Sequence, residues 1–204
     1  TVHDNAYIVL GYFKNFYRFF RLLMSEKNFK KIKYASTPSP YMLKYVRKRS
    51  DIVKIIPNPV KISHNELEIN CLISSKMDSM FNPKIIMIFN GWDERKNGKN
   101  ALQAFKILLE WIPNAQLNLF GSGTEMFGPA YIDAKLLNVE KVIFNGKCSH
   151  DFIIDSLKAS HILLHSSLEE SFGVVLIEAM SLGVPTIGGK NSGAVPWVIK
   201  DDNL

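Results

Sequence analysis

Glu170-Ser171-Phe172-Gly173-Val174-Val175-Leu176-Ile177-Glu178-Ala179-Met180-Ser181-Leu182-Gly183-Val184-Pro185 is the stretch on which the reading of this chain turns. It reads as one helix with marked ends. Ser171 is a candidate N-cap, because its hydroxyl can accept from a free amide of the first turn. Gly183 suits the position just past the last turn, and Pro185 cannot continue the helix. Almost every side chain between them is apolar, which predicts a helix buried on most sides. Glu170 and Glu178 break the pattern, and their spacing in a helix brings them back to roughly the same side. A carboxylate among apolar neighbours is costly unless something pairs with it. The start of a helix also offers unpaired amides and the positive end of a dipole, a ready site for phosphate. Carboxylates that accept from hydroxyls beside such an end suit a sugar nucleotide. The other reading is a buried helix with two solvated glutamates at its edge.

Outward from that helix the pattern is regular. Ile85–Phe89 is a continuous apolar run, as expected of a strand covered on both faces. A helix from about Asn100 to Ile112 follows, then strands at Leu117–Phe120, Val142–Phe144, Ile162–His165 and Val184–Ile187, with helices near 125–137 and 150–159. Five strands alternating with helices predict an α/β fold with a doubly wound parallel sheet. Ligands of such sheets bind outside the carboxyl ends of the strands, so the turns there carry the chemistry. Upstream, Tyr34–Thr37 and Ile52–Ile56 read as strands around a helix that Ser39-Pro40 opens and that runs to about Arg49. Residues 60–83 read as a connector with room for one helix.

The chain has 204 residues, enough for one large or two small domains, with 47% hydrophobic and 22% charged residues, ordinary for a globular protein. No apolar run approaches the roughly 20 residues of a membrane-spanning helix. The absence of Met at Thr1 suggests a piece of something longer. Cys71 and Cys148 form neither a disulfide framework nor a zinc spacing, consistent with a reducing compartment. No Asp-x-Asp or His/Cys cluster marks a metal site. The net charge of +6 is concentrated: residues 11–34 hold seven basic residues against Glu26 alone. That segment reads as a helix interleaving Tyr12, Phe13, Phe16, Tyr17, Phe19 and Phe20 with its cations. It suits an anionic membrane surface, or equally a core-facing aromatic stripe with a solvated basic face. A nucleic-acid surface is a weaker reading, because no binding motif accompanies the charge.

Glu-x7-Glu within E-S-F-G-V-V-L-I-E-A-M-S-L-G-V-P resembles the signature of glycosyltransferase family 4, the retaining enzymes of GT-B fold. The resemblance implies that Glu170 contacts the donor sugar, that Glu178 holds the nucleotide ribose, and that the helix end at Phe172, Gly173 and Val174 receives the diphosphate. After the first strand of the regular part, Gly91-Trp92-Asp93-Glu94-Arg95-Lys96-Asn97 is similar to the family's G-R…K-G segment. Lys96 matches the diphosphate-binding Lys, a cation placed to reach phosphate. Asn97 replaces the glycine after it, Trp92 replaces the Arg, and Arg95 is the candidate substitute. Alone, this is a solvated charged turn as readily as a site.

Gly121 matches a family glycine turn, and Gly146-Lys147 matches the place where the family meets the nucleobase. Ser192-Gly193 with Ala194-Val195-Pro196-Trp197 matches the loop facing the donor sugar, with Trp197 in place of Glu. Val2-His3-Asp4 resembles the strand end whose His lies beside the reaction centre, and Ile55-Ile56-Pro57-Asn58 resembles the interdomain junction, with Pro59 in place of Gly. His161 and His165 read as strand-end residues rather than catalysts. The resemblance thus implies a hexosyltransferase, with residues 1–58 ending an acceptor-side domain and 59–204 forming a donor-binding domain that lacks its final helix. Glu170, Lys96 and His3 would be catalytic. The donor would be UDP- or GDP-linked and the acceptor a glycan or lipid-linked alcohol. No metal, cofactor or nucleic acid would take part, and the setting would be cytoplasmic, peripheral on the inner membrane face. The rival class is a non-catalytic membrane-associated module that binds sugar nucleotides.

Overall fold

The computed structural model describes residues 32–47, 50–61 and 65–200. His3 and nearly all of the basic aromatic segment lie outside them. At that segment's end the strand expected from Tyr34 is found, so residues 32–34 are not helical.

Two parallel sheets are present. The smaller pairs β1 (Tyr34–Thr37) with β2 (Ile52–Ile55), joined by helix α1 (Pro40–Val46). Proline sits in the first turn of α1, where it has no amide to lose. Helix α2 (Glu66–Met77) then opens on a reciprocal cap between Asn65 and Glu68. The larger sheet holds β3 (Lys84–Asn90), β4 (Gln116–Ser122), β5 (Val142–Gly146), β6 (Ile162–His165) and β7 (Thr186–Gly188) in the order β5-β4-β3-β6-β7, all parallel. Its helices are α3 (Gly98–Trp111), α4 (Pro129–Leu136), α5 (His150–Lys158), α6 (Val174–Ser181) and α7 (Val195–Ile199). This is the α/β parallel-sheet class expected from the sequence.

The central strand shows why the sheet is covered on both faces. Side chains alternate along a strand, and Ile85, Met87 and Phe89 enter one core with Leu102 and Phe105 of α3 and Ala130 and Ala134 of α4. Ile86 enters the other, with Leu157 of α5, Leu176 and Ala179 of α6, and Val195 of α7. Each of the larger side chains, the alanines excepted, contributes about 1.5–3 kcal/mol by leaving water. The strand order reverses at β3, which opens a crevice at its carboxyl end between the turns after β3 and β6.

Several expectations are corrected. The central helix starts at Val174, with Gly173 in the left-handed region (φ 83°) as its N-cap, so Ser171 does not cap it. The segment before it is held extended instead: Glu170 bridges Gly193, and the Glu170 carbonyl accepts from the amide of Ala194 at 2.9 Å. A Cβ on Gly193 would lie 2.4 Å from that carbonyl oxygen, which is why glycine stands there. Only Leu176 and Ala179 of α6 are fully buried, while Val174, Val175 and Ile177 are half-buried. β7 begins at Thr186 rather than Val184, and α1 ends at Val46 rather than near Arg49. Val195, Pro196 and Trp197, read as the end of a loop, form the start of α7, which runs to Ile199.

Candidate functional site

The site builds from the turn after β3. Glu94–Lys96 form one turn of 3-10 helix, whose N-cap Asp93 accepts from the amide of Lys96 at 3.0 Å. Asn97 follows at φ 56°, and Asn tolerates this left-handed backbone better than most residues, which explains its use in place of glycine. Two contacts fasten the turn to the loop after β6. The Arg95 carbonyl accepts from Leu168 N at 2.8 Å, and Ser166 Oγ donates to the Lys96 carbonyl at 2.7 Å. The Lys96 ammonium then lies 3.3 Å from Glu170 Oε2, with both side chains largely buried.

Glu170 therefore does not share a helix face with Glu178. It lies before α6 and faces the turn after β3, with Ser171 N donating to its Oε1 at 3.1 Å. Burial opposes ionisation of Glu170, yet Lys96 above all holds its pKa below the usual carboxylate range. His165, at the end of β6, completes the cluster with Nε2 at 3.7 Å from the same Glu170 oxygen and no hydrogen-bond partner among the described residues. Burial pushes the His165 pKa down to about 4, so its ring is neutral at pH 7 and the attraction on Glu170 there comes from Lys96. The first turn of α6 opens beside this loop with no side-chain cap; the Leu176 amide is taken by the Gly173 carbonyl at 3.0 Å, while those of Val174 and Val175 have no intrahelical acceptor. The arrangement offers a cation, helix-end amides and a carboxylate at a strand switch point, chemistry suited to holding a diphosphate and a polyol together.

Sequence reasoning set His165 aside. The signal available was its place at the carboxyl end of a strand next to the first glutamate. His161, by contrast, lies at the start of β6, where its Nδ1 accepts from Lys84 N and its Nε2 pairs with Ser79 Oγ, both at 3.0 Å. It ties the far end of the sheet together.

Protonating His165 in the folded chain is resisted between its ordinary 6.5 and about 4. The unfolded chain takes up that proton across this window. Stability is therefore present above pH 6.5 and lost as pH falls toward 4, by an amount on the order of 3 kcal/mol. Glu170 has the same sign, since its folded pKa is also depressed. Urea unfolding from pH 7 to 4.5 should show a shallower loss for His165→Leu than for the wild type; parallel curves would mean that His165 titrates normally.

The other expected residues divide. Glu178 lies on α6 and is held by His150 Nε2 at 2.8 Å. Gly91 opens the turn before Lys96 at φ 101°. Trp92 turns away from the cluster: its Nε1 donates to Asp133 at 2.9 Å, its ring meets Phe89 edge-on at 5.1 Å, and a Cβ on Gly98 would strike it at 2.4 Å. It is a packing residue where the family places an Arg. Arg95 is half-buried and Lys147 is exposed, and neither makes a side-chain hydrogen bond or ion pair among the described residues. Gly121 serves the sheet, because a Cβ there would lie 1.8 Å from the Phe89 carbonyl oxygen. Gly146 packs on Glu125, and Ser192 is buried behind Gly189. Phe172 is buried, and Trp197 of α7, itself 43% exposed, lies beside its ring at 6.2 Å.

The smaller sheet reaches this loop. Ser39 Oγ donates to the Ser171 carbonyl at 2.6 Å, and the Tyr41 hydroxyl donates to the Glu169 carboxylate. Burial, then Glu169, raises the Tyr41 pKa. Among the described residues no group of three or more His, Cys, Asp or Glu is gathered for a metal, and no helix is long and apolar enough to cross a membrane.

A parallel five-stranded sheet with this cluster at its switch point defines an α/β domain of GT-B type. The chain belongs to the glycosyl transferases group 1 family, whose model matches residues 76–203. It is 36% identical over 118 residues to the N-acetyl-alpha-D-glucosaminyl L-malate synthase of Bacillus anthracis, covering 57% of this chain and 30% of that protein. It is 34% identical over 87 residues to the gpi3 subunit of the phosphatidylinositol N-acetylglucosaminyltransferase of Schizosaccharomyces pombe, covering 43% and 19%. Among solved structures, sucrose-phosphate synthase from Thermosynechococcus elongatus superposes with a TM-score of 0.68 at 21% identity, over 94% of this chain and 50% of that one. Anabaena HepE, solved in complex with UDP-glucose, superposes with a TM-score of 0.67 at 20% identity, over 95% and 53%. The chain thus spans about half the length of these solved proteins and less than a third of these two curated relatives.

Proposed function

We propose that this chain forms the donor side of a retaining glycosyltransferase that moves a hexose from a UDP- or GDP-linked sugar to an alcohol. The observation that carries the reading is the Lys96–Glu170 pair beside the opening turn of α6, at the point where the strand order reverses. Lys96 and the α6 amides stabilise the departing diphosphate, an electrostatic contribution that grows in a site closed to water. Glu170 accepts from sugar hydroxyls and Glu178 from the ribose. The bond from the anomeric carbon to the diphosphate oxygen breaks, the bond to the acceptor oxygen forms with retention, and the acceptor's hydroxyl proton passes to the departing diphosphate. The positive groups of the chain take the part that a divalent cation takes elsewhere. HepE, which holds UDP-glucose on the same fold, supports the donor class. Residues 1–58 would end the acceptor-side domain and 59–204 form the donor domain. The acceptor would be a lipid-linked glycan of surface polysaccharide synthesis at the inner face of a membrane, to which the cations of residues 11–34 would hold the enzyme.

The test is transfer by the two-domain enzyme from a panel of UDP- and GDP-sugars to a lipid-linked acceptor in anionic vesicles. Activity should survive EDTA, the product should keep the donor's anomeric configuration, and neutralising Lys27, Lys30, Lys31 and Lys33 should lower it on vesicles only. Activity that EDTA abolishes and Mn²⁺ restores, or an inverted product, would contradict the mechanism.

A further inference from the structure

We propose that His150 is a positioning residue for Glu178, fixing its carboxylate to receive the ribose hydroxyls of a nucleoside diphosphate; the inference rests on the donor-site reading above. His150 is the first residue of α5, set by Ser149, whose Oγ accepts from the amide of Phe152 at 3.3 Å. It therefore stands where the Gly146-Lys147 loop after β5 passes into helix. Glu178 stands in the middle of α6. The two helices pack through Leu157, Leu176 and Ala179, with Ile153 and Ile154 against them, and this packing brings the side chains together.

The contact is specific. His150 Nε2 lies 2.8 Å from Glu178 Oε1, the glutamate side chain is 15% exposed and the imidazole 65%. No other side chain among the described residues bonds to that carboxylate. Its neighbours on α6 are apolar except Ser181, whose hydroxyl donates to the Glu178 carbonyl at 2.8 Å, so without His150 the carboxylate would be covered with no donor, a costly state that it would leave by turning toward water. With Oε1 held, the rotamer is fixed and Oε2 keeps its lone pairs for a ligand; a carboxylate has acceptor sites to spare. A group ordered before the ligand arrives loses less freedom on binding. A solvated ion pair that merely joins α5 to α6 would support all ligands alike, whereas a positioning residue acts only on ligands that carry the ribose hydroxyls.

The experiment is calorimetric titration of the folded chain with UDP or GDP, with the 2′,3′-dideoxy analogue of whichever binds, and with inorganic pyrophosphate. His150→Ala should weaken the ribose-bearing ligand about three- to tenfold and leave the other two unchanged. His150→Gln, which offers an amide N–H at similar reach, should restore most of the loss. Equal weakening of all three ligands, no weakening, or no rescue by Gln would overturn the inference. Tighter binding would also overturn it, since His150 would then occupy the place of the ribose. A wild-type chain that binds no nucleoside diphosphate would remove the donor-site reading itself, whereas loss with Glu178→Ala but not with His150→Ala would remove this inference alone.

Discussion

Lys96→Ala in the two-domain enzyme is expected to lower turnover by about 10²–10³-fold, the cost of removing one preorganised group from developing negative charge. Two effects are mixed in that substitution. Lys96 faces the donor diphosphate in the proposed mechanism, and it also neutralises Glu170 in a place where burial opposes the charge. Removing only the cation leaves the carboxylate uncompensated, which costs up to about 3–5 kcal/mol in a fully buried pair and less where Glu170 keeps some exposure. The double variant Lys96→Ala/Glu170→Gln, set against Glu170→Gln alone, separates the two. It should regain most of the stability, measured by urea unfolding, while its turnover stays well below that of Glu170→Gln. Turnover equal to that of Glu170→Gln would mean that Lys96 serves only to neutralise Glu170.

Residues 1–204 by themselves are expected to bind a nucleoside diphosphate and to transfer no sugar. The proposed donor contacts, Lys96, Glu170, Glu178 and the start of α6, sit on one sheet and its helices. Of the proposed acceptor side, the described residues hold only β1, α1 and β2. Transfer needs the acceptor oxygen placed against the anomeric carbon, and that placement is worth about 7–11 kcal/mol of barrier. Its loss puts turnover below detection. Circular dichroism establishes that the sample is folded, and product analysis over the donor panel is the check. Robust transfer by this chain would show that the acceptor site lies within it.

What could be read from the sequence was the local and periodic part. The five strands were found to within two residues at most boundaries, because runs such as Ile85–Phe89 are bounded by turn residues and answer to one periodicity. The departures came from contacts between distant residues. Ser171 has the chemistry of an N-cap, but the bridge of Glu170 to Gly193 holds the chain extended and Gly173 turns it into α6 instead. Helix α7 was hidden by neighbouring glycines, although Pro196 in its first turn was compatible with a helix. The pairing of Lys96 with Glu170 was half legible: the type and spacing of each residue marked it, and only the sheet order puts the turns after β3 and β6 side by side. Trp92 was noticed as a missing Arg; its packing on Phe89, Gly98 and Asp133 is a matter of tertiary fit that no local pattern encodes. His150 had no signal of its own, because its meaning depends on how α5 lies on α6.

The measurement that bears most directly on the donor-site reading is calorimetric titration of the folded chain with UDP, GDP and ADP, repeated on Glu178→Ala and Glu170→Ala. The account predicts saturable binding of at least one nucleoside diphosphate, weakened by about 1.5–3 kcal/mol in Glu178→Ala and much less in Glu170→Ala, whose partner is the sugar that these ligands lack. No binding of any of the three by a folded chain, or equal losses from the two substitutions, would contradict it.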